Sequence, residues 1–123
     1  MILSVGVDIT QNKRIKGAIK KYGSKFLFKF LTGREIKKLP KNYSSEHLGG
    51  IFAAKEAVIK AMSGLSVAPN FLDIEIAKNA NGAPVAILPG SALFKKNGKK
   101  KIHLSISHEK DYSMAMAILE DRK

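Results

Sequence analysis

The sequence contains no cysteine and no tryptophan in its 123 residues. Without cysteine the chain can form neither a disulfide framework nor a zinc site built on thiolates, and its three histidines are too scattered for a zinc set. Any bound metal should therefore be hard and held by oxygen. The sequence also lacks an apolar run of membrane-spanning length and the pattern of a signal peptide. We expect a cytoplasmic protein without membrane contact, folded as one domain over residues 1–123.

Acidic residues are scarce. Ten Asp and Glu stand against 22 Lys and Arg, which gives a formal net charge of +12. Such a charge favours a polyanionic partner, either a nucleic acid, a phosphorylated metabolite or an acidic protein, and does not choose among them.

The first part of the chain predicts a strand followed by a helix. Residues 2–9 alternate apolar and small or polar side chains, which is typical of a strand. Thr10 is placed to cap the helix that follows, and Gly23 to end it. The expected buried stripe of this helix consists of Ile15, Ala18, Ile19 and Tyr22.

A capping box and a long helix are predicted next. Thr32 and Glu35 have capping-box spacing, and Ser44 or Ser45 can begin a helix that extends to about residue 63. From Leu72 the period changes to two, which predicts that Leu72, Ile74 and Ile76 are buried and that Asp73 and Glu75 are exposed.

Two hairpins complete the pattern. Asn81-Gly82 is a strong hairpin signal between residues 72–76 and 85–88, and residues 101–107 and 112–119 alternate around a tight turn at 108–111. A short helix is expected between the hairpins, over residues 91–96. This order predicts an α+β fold in which helices pack on a mainly antiparallel sheet, with one long central helix.

The long helix raises one question. At about 100° per residue, Lys55 falls within the apolar stripe formed by Leu48, Ile51, Phe52, Val58, Ile59 and Met62. Lys55 could extend its stem along the core and its ammonium into water, while Glu56 and Lys60 form an i,i+4 surface pair. Alternatively, this helix face is the wall of a cleft, and the ammonium reaches a ligand.

Three polar features together suggest a phosphoryl-transfer site. They are Asp8 at the end of the first strand, the set of Lys55, Glu56 and Lys60, and His108 within "SISH". Each has an ordinary structural explanation, as a cap, a surface pair and a turn residue. Two carboxylates with phosphate and water suit magnesium, and neighbouring lysines suit phosphate oxygens. Gly6 would let a ligand approach the first strand closely.

These residues resemble a known family. "VGVDI", "FAAKEAVIKA" and "SISHEKDYSMAMAI" are similar in order and spacing to the signatures of the holo-[acyl-carrier-protein] synthases, the small bacterial 4'-phosphopantetheinyl transferases. The resemblance implies magnesium-dependent transfer of the 4'-phosphopantetheine arm of coenzyme A to a serine of apo acyl carrier protein, in support of fatty acid biosynthesis. It also implies a homotrimer with active sites between subunits, and no nucleic-acid partner.

The resemblance assigns roles by position. Asp8 and Glu56 are the expected Mg²⁺ ligands, and Glu56 and Lys60 are the expected catalytic residues. Glu56 would accept the serine proton directly or through a metal-bound water. Lys13 and Arg14 would dock the carrier protein. The expected coenzyme A contacts are Asp8, Lys55, Lys60, Asn81, Gly82, Pro84, Ser107 and His108.

The sequence departs from the family pattern near the expected coenzyme A site. Ile51 stands where the family usually has arginine, and Ala83 where its turn usually has lysine. Two alternatives therefore stay open: a small basic nucleic-acid-binding protein, and an inactive relative that binds carrier protein. A nucleic-acid binder would lose affinity steeply with salt, whether or not magnesium is present.

Overall fold

The computed structural model describes residues 1–91, 94 and 98–122. In chain order it contains β1 (Ile2–Gln11), α1 (Asn12–Tyr22), α2 (Ser24–Phe30), α3 (Gly33–Lys38), α4 (Ser45–Ser63), a 3-10 turn (Phe71–Asp73), β2 (Glu75–Lys78), β3 (Pro84–Ile87), β4 (Lys100–His108) and β5 (Tyr112–Asp121). Three strands form an antiparallel sheet in the order β1-β5-β4, and β2 and β3 form a separate antiparallel hairpin. The predicted α+β fold with a long helix is confirmed.

Helix α4 lies between two apolar clusters. Its small residues Ala53, Ala57 and Ala61 pack in the cluster that contains Ala115, Ala117 and Leu119 of β5. Its N-terminal residue Leu48 packs with α1 and α2 in a second cluster. The buried surface of α4 therefore extends well beyond the predicted stripe, of which Ile51, Phe52 and Ile59 are only partly buried.

Local signals placed two helix starts correctly. Thr32 Oγ1 accepts a hydrogen bond from the Glu35 backbone N–H at 3.2 Å, and Glu35 Oε1 accepts one from the Thr32 N–H at 2.8 Å, which completes the capping box. Ser44 Oγ accepts a hydrogen bond from the His47 N–H at 3.1 Å and caps α4.

Other local predictions are wrong. Thr10 does not cap α1, because β1 continues through Gln11 and the Thr10 hydroxyl donates to Asp8 Oδ2 at 2.9 Å. Tyr22 is exposed instead of buried in the α1 stripe. Leu72 is exposed and Glu75 is buried, because a 3-10 turn precedes β2 and shifts the alternation.

Both predicted hairpins are present. In the β2-β3 turn, Asn79 Oδ1 accepts hydrogen bonds from the N–H groups of Asn81 and Ala83, and Gly82 has φ of +81°, a conformation that favours glycine. The β4-β5 turn is closed by a 2.8 Å hydrogen bond from Glu109 N–H to Tyr112 C=O. In the predicted helix over 91–96, residues 92, 93, 95 and 96 lie outside the described residues.

The helices within the described ranges are all too short or too polar to cross a bilayer.

Candidate active site

Close packing of β1 on α4 brings the first acidic side chain to the helix. A Cβ at Gly6 would collide with the Ala57 carbonyl oxygen and would lie 2.7 Å from the Ala61 backbone nitrogen. Only glycine lets the strand lie this close to the helix backbone. The space that we expected Gly6 to leave for a ligand is therefore occupied by α4, and the consequence is that Asp8, two residues further on, lies beside the helix.

Asp8 is held by two side chains. Lys60 Nζ lies 3.1 Å from Asp8 Oδ1 and also donates to the Val7 carbonyl oxygen at 3.1 Å. The Thr10 hydroxyl donates to the other carboxylate oxygen, Oδ2. Asp8 is largely buried while Lys60 is half exposed. The ammonium is thus fixed at the edge of the carboxylate, on the side that solvent and ligands can reach.

Glu56 lies within electrostatic range of the same carboxylate. Burial, and then the negative charge of Asp8, raise the pKa of Glu56, while the charge of Lys60 opposes this shift. No donor among residues 1–91, 94 and 98–122 gives the Glu56 carboxylate a hydrogen bond. The predicted surface pair between Glu56 and Lys60 is not formed, because the Lys60 ammonium binds Asp8.

This donor set fits magnesium. Two carboxylates that repel each other, with a lysine ammonium on one of them, form a site in which a hard cation would be stabilised. No third acidic or histidine side chain converges there among the described residues, so the remaining ligands of an octahedral ion would be water and substrate oxygens. That composition suits an ion shared with a phosphate group.

Two positions were predicted for the Lys55 ammonium, water or a ligand, and both predictions are wrong. Its ammonium is buried and donates to the Phe30 carbonyl oxygen at 2.6 Å, to Glu35 Oε1 at 2.6 Å and to the Phe71 carbonyl oxygen at 3.1 Å. Burial lowers the pKa of Lys55, and the hydrogen bond and charge of Glu35 oppose that change. With three acceptors the ammonium reaches neither water nor a ligand, so its assignment to coenzyme A is corrected to a structural role.

A cleft of about 890 Å³ opens beside the N-terminal half of α4. Its walls come from α3, the start of α4, the β2-β3 hairpin and the end of β4. The predicted coenzyme A residues Gly82, Pro84 and His108 line it. Asn81 belongs to the same turn but is not part of the wall. The structure thus brings three of the expected contacts into one cavity.

Ser107 lies on the opposite face of the sheet from His108. In the antiparallel register, Ser107 pairs with Met114 and Met114 with Ile9, whereas His108 shares its face with Ser113 and Thr10. Within one chain Ser107 therefore does not face the cleft.

The acidic pair and the cleft lie on the same face of the sheet. Ser113 of β5 pairs with Thr10 on one side and His108 on the other, so those two backbones are about 10 Å apart at ordinary strand spacing. Gly50 closes the gap between helix and sheet, since a Cβ there would lie 3.2 Å from Ile106 Cγ2. Helix α4 and the buried Ser113 therefore lie between the cleft and Asp8 within one chain.

Three basic residues of the cleft were not predicted from the sequence. Lys38, His47 and Lys78 line it beside His108. His47 could have been noticed, because Ser44 fixes the start of α4 and so places residues 47 and 50 on one helix face. Lys38 and Lys78 carry no such signal among so many lysines. Lys13 and Arg14 lie on the exposed face of α1, as expected for a surface.

Known proteins are similar to this chain in sequence. The model of the 4'-phosphopantetheinyl transferase superfamily matches residues 4–117. The holo-[acyl-carrier-protein] synthase of Clostridium kluyveri is 44% identical over 98% of this chain and 91% of its own, and that of Clostridium tetani is 43% identical over 98% and 97%.

Solved structures are similar as well. The holo-[acyl-carrier-protein] synthase of Neisseria meningitidis has a TM-score of 0.84 at 30% identity, covering 98% of this chain and 100% of its own. The Helicobacter pylori enzyme, solved with coenzyme A, has a TM-score of 0.77 at 30% identity, covering 94% and 99%. The resemblance seen in the sequence is confirmed: this chain belongs to the holo-[acyl-carrier-protein] synthases of the 4'-phosphopantetheinyl transferase superfamily.

Proposed function

We propose that this protein transfers 4'-phosphopantetheine from coenzyme A to a serine of apo acyl carrier protein. The serine oxygen forms a bond to the phosphorus that carries the pantetheine arm, the bond from that phosphorus to the bridging oxygen breaks, and adenosine 3',5'-bisphosphate leaves. The serine proton is released. The observation that carries this proposal is the convergence of Asp8, Glu56 and Lys60 beside a basic cleft, in a chain of this family.

Asp8 and Glu56 would hold Mg²⁺. When bound, the ion would neutralise the pyrophosphate and polarise the phosphoryl oxygen. Burial, and then the negative charge of Asp8, raise the pKa of Glu56, and a bound cation would offset both effects.

Lys60 and Glu56 have complementary roles in transfer. The Lys60 ammonium is already fixed at the rim of the acidic pair, where it can stabilise negative charge on the transferring phosphoryl group. The Glu56 carboxylate receives no hydrogen bond from the described residues and is the candidate acceptor of the serine proton. Both groups project from α4, whose packing on β1 holds them in register with Asp8.

Coenzyme A would occupy the cleft and extend to the acidic pair. His108, Gly82 and Pro84 contribute to the cleft wall, and a nucleotide held there would direct its pyrophosphate towards an acidic pair. Ile51 also lines this cleft, so the cation expected at that position must be supplied by other residues.

The carrier protein would dock on α1. Lys13 and Arg14 are exposed there, and the net charge of +12 favours encounter with an acidic carrier. The holo carrier protein then supplies the thiol on which fatty acids are assembled, so the reaction supports lipid biosynthesis.

The outer face of the sheet supports assembly of this protein into the homotrimer that the resemblance implies. Val5, Val7, Ile9, Met114 and Met116 are each 44% to 59% exposed on the face opposite α4. A contiguous apolar face of this kind is typical of an interface. Because Ser107 lies on that face beside Met114, assembly would allow Ser107 to serve the site of a neighbouring copy.

Mass spectrometry of apo carrier protein tests the activity. Incubation with this protein, coenzyme A and Mg²⁺ should add one phosphopantetheine per carrier. Asp8→Asn and Glu56→Gln should each lower the rate by at least about a hundredfold, while Glu109→Gln, an exposed acid in the β4-β5 turn, should keep it. Absence of transfer by the wild type, with carrier binding retained, would instead identify an inactive carrier-binding relative.

A further inference from the structure

The Asp8 carboxylate has few neighbours that can hold it. On its own face of β1 the residue before it is Gly6, which has no side chain, and the residue after it is Thr10. Across the sheet Asp8 pairs with Ala115, which is apolar and buried. In the described part of the chain, Thr10 and Lys60 are the two side chains that donate hydrogen bonds to this carboxylate.

These two donors differ in how firmly each is held. The Lys60 side chain is 53% exposed, whereas Thr10 is 9% exposed. Thr10 pairs with Ser113 in the β1-β5 ladder, and a 2.9 Å hydrogen bond from the Asn12 N–H to the Asp111 carbonyl oxygen extends the contact past the end of the strand. A β-branched side chain has few χ1 rotamers open to it. The Thr10 hydroxyl is therefore the fixed donor, and the Lys60 ammonium is the one that a ligand can displace.

We propose that Thr10 is a positioning residue for Mg²⁺, which acts by fixing the orientation of the Asp8 carboxylate. This inference rests on the proposed function, in which Asp8 is a ligand of the ion. The hydroxyl occupies Oδ2 at 2.9 Å, so Oδ1 is the oxygen that faces the exposed side, where Lys60 now lies 3.1 Å away. A cation that takes the place of the ammonium would meet a carboxylate that is already oriented.

Preorganisation is the physical reason for this role. A carboxylate that is free to rotate loses that freedom when an ion binds, and a fixed hydrogen bond removes this entropic cost beforehand. Hydrogen bonds to ligating groups commonly change metal affinity or activity by about tenfold to a hundredfold. Thr10 itself touches neither ion nor substrate in this assignment. Its effect should therefore be seen in the affinity for the cation.

Electron paramagnetic resonance of Mn²⁺ measures this affinity without turnover, because Mn²⁺ is a cation that carboxylates bind as they bind Mg²⁺. The titrations contain coenzyme A and no carrier protein, and a titration of coenzyme A alone gives the background. Thr10→Val keeps the shape of the side chain and suits a strand, and it should raise the Kd for Mn²⁺ about tenfold. Thr10→Ser keeps the hydroxyl and should remain close to the wild type.

Ser113→Ala is the matched control. Ser113 is a buried hydroxyl residue directly across the ladder from Thr10, and it donates to Asn12 Oδ1 at 2.7 Å and to the Glu46 carbonyl oxygen at 3.2 Å. Its removal should lower the Tm and leave the Kd for Mn²⁺ unchanged, because it does not contact Asp8. If Thr10→Val does not fold, Thr10→Ala carries the same prediction.

The carrier assay gives a second measurement. For Thr10→Val the Mg²⁺ concentration that gives half of the maximal rate should also rise about tenfold. Excess Mg²⁺ should restore most of the wild-type rate, because the substitution weakens ion binding and leaves the reacting groups in place. A loss of rate caused only by a damaged fold would not be corrected by the ion.

The inference is overturned if Thr10→Val binds Mn²⁺ as the wild type does, if Thr10→Ser or Ser113→Ala loses as much affinity as Thr10→Val, or if the wild type binds no Mn²⁺ above the background. Failure of the proposed function gives a different result. Transfer by the wild type, with Mn²⁺ binding that does not depend on Thr10, would retain the activity and refute the inference. Mn²⁺ binding that depends on Thr10, without transfer, would do the reverse.

Discussion

Lys55 Nζ lies 2.6 Å from Glu35 Oε1 in a region closed to solvent, and this ion pair joins α4 to α3. The same ammonium binds the Phe30 carbonyl at the end of α2 and the Phe71 carbonyl of the 3-10 turn. Glu35 extends the network to β2 through the Ile76 N–H. Lys55 thus ties α4, directly or through Glu35, to four other segments.

Removal of this ammonium should be costly. Lys55→Met leaves the Glu35 charge buried with two backbone donors, and we expect a loss of about 3–5 kcal/mol in the free energy of unfolding. Urea denaturation would measure it. Lys55→Met combined with Glu35→Gln should recover part of the loss, because the unpaired charge is gone.

Lys60→Met is the matched control on the same helix. Its ammonium is half exposed, and its pair with Asp8 should contribute less than about 1 kcal/mol. Equal destabilisation by the two lysine substitutions would contradict the structural role assigned to Lys55.

A methyl group at Gly6 should disturb both folding and transfer. The Cβ of Gly6→Ala would meet helix backbone at Ala57 and Ala61, which cannot move aside as a side chain can. We expect a loss of about 1–3 kcal/mol and a lower transfer rate, since Asp8 would shift relative to Glu56.

The control for that substitution is Gly17→Ala in α1. A Cβ at Gly17 meets nothing within 4 Å, so alanine there should stabilise the helix by about 0.5–1 kcal/mol. Thermal unfolding and the carrier assay give both readouts, and an unaffected Gly6→Ala protein would refute the close packing of β1 on α4.

Stability should depend on pH through Glu120. The hydrogen bond from the His103 ring, and to a smaller extent the one from Arg122, lower the pKa of Glu120. A carboxyl with a lowered folded-state pKa stabilises the fold fully above its ordinary pKa of about 4.3 and loses this contribution as pH falls through the lower folded value.

The Tm of the wild type should therefore fall on acidification below about pH 4.3, and the Tm of Glu120→Gln should fall less over the same range. Asp73→Asn, which alters a carboxylate that caps the 3-10 turn, is a comparison at a distant site. An identical acid profile for wild type and Glu120→Gln would contradict the role of the His103 contact.

The apolar outer face predicts self-association, and the family resemblance implies that the assembly is a trimer. Val7 and Met116 are paired across β1 and β5, and both are exposed. Light scattering coupled to size exclusion should give a trimer for the wild type and a monomer for Val7→Asp, because a buried unpaired charge opposes assembly. Leu72→Asp, at an exposed apolar residue elsewhere, should remain trimeric. A monomeric wild type would refute the assembly.

Arg14→Glu should test the docking surface. Reversal of this charge on α1 should raise the KM for an acidic carrier protein by about tenfold or less while the KM for coenzyme A changes little. Steady-state kinetics with each substrate varied separately would measure both values. The opposite pattern would place the carrier protein on another surface.

Local chemistry in the sequence predicted part of this fold. Caps at Thr32 and Ser44 and the turn at Asn81-Gly82 depend on neighbours a few residues away, and each is present in the structure. The site at Asp8 and Glu56 could also be inferred, because two carboxylates with neighbouring lysines are an unusual combination of residue types. Burial was harder to predict, since which side of β1 or α4 is covered depends on distant segments.

Lys55 illustrates the limit. A lysine within an apolar stripe has two ordinary explanations, snorkelling to water or contact with a ligand, and the sequence favoured these. Its actual acceptors are 16 to 25 residues away and include two backbone carbonyls. Backbone carbonyl groups at the ends of short helices have no helical partner, and the residue types there do not show which of these groups will bind a distant lysine.

Helix α4 leaves little mutational freedom. Small residues such as Ala57 and Ala61 are needed where β1 lies on α4, and Lys55 is needed where the short helices end against it. Lys60 is needed where the helix faces Asp8. Substitutions that change which cofactor the protein binds are therefore expected to arise first outside this helix. The tip of the β2-β3 hairpin, exposed around Gly82 and anchored by Asn79 alone, is the segment an engineer could redesign without refolding the rest.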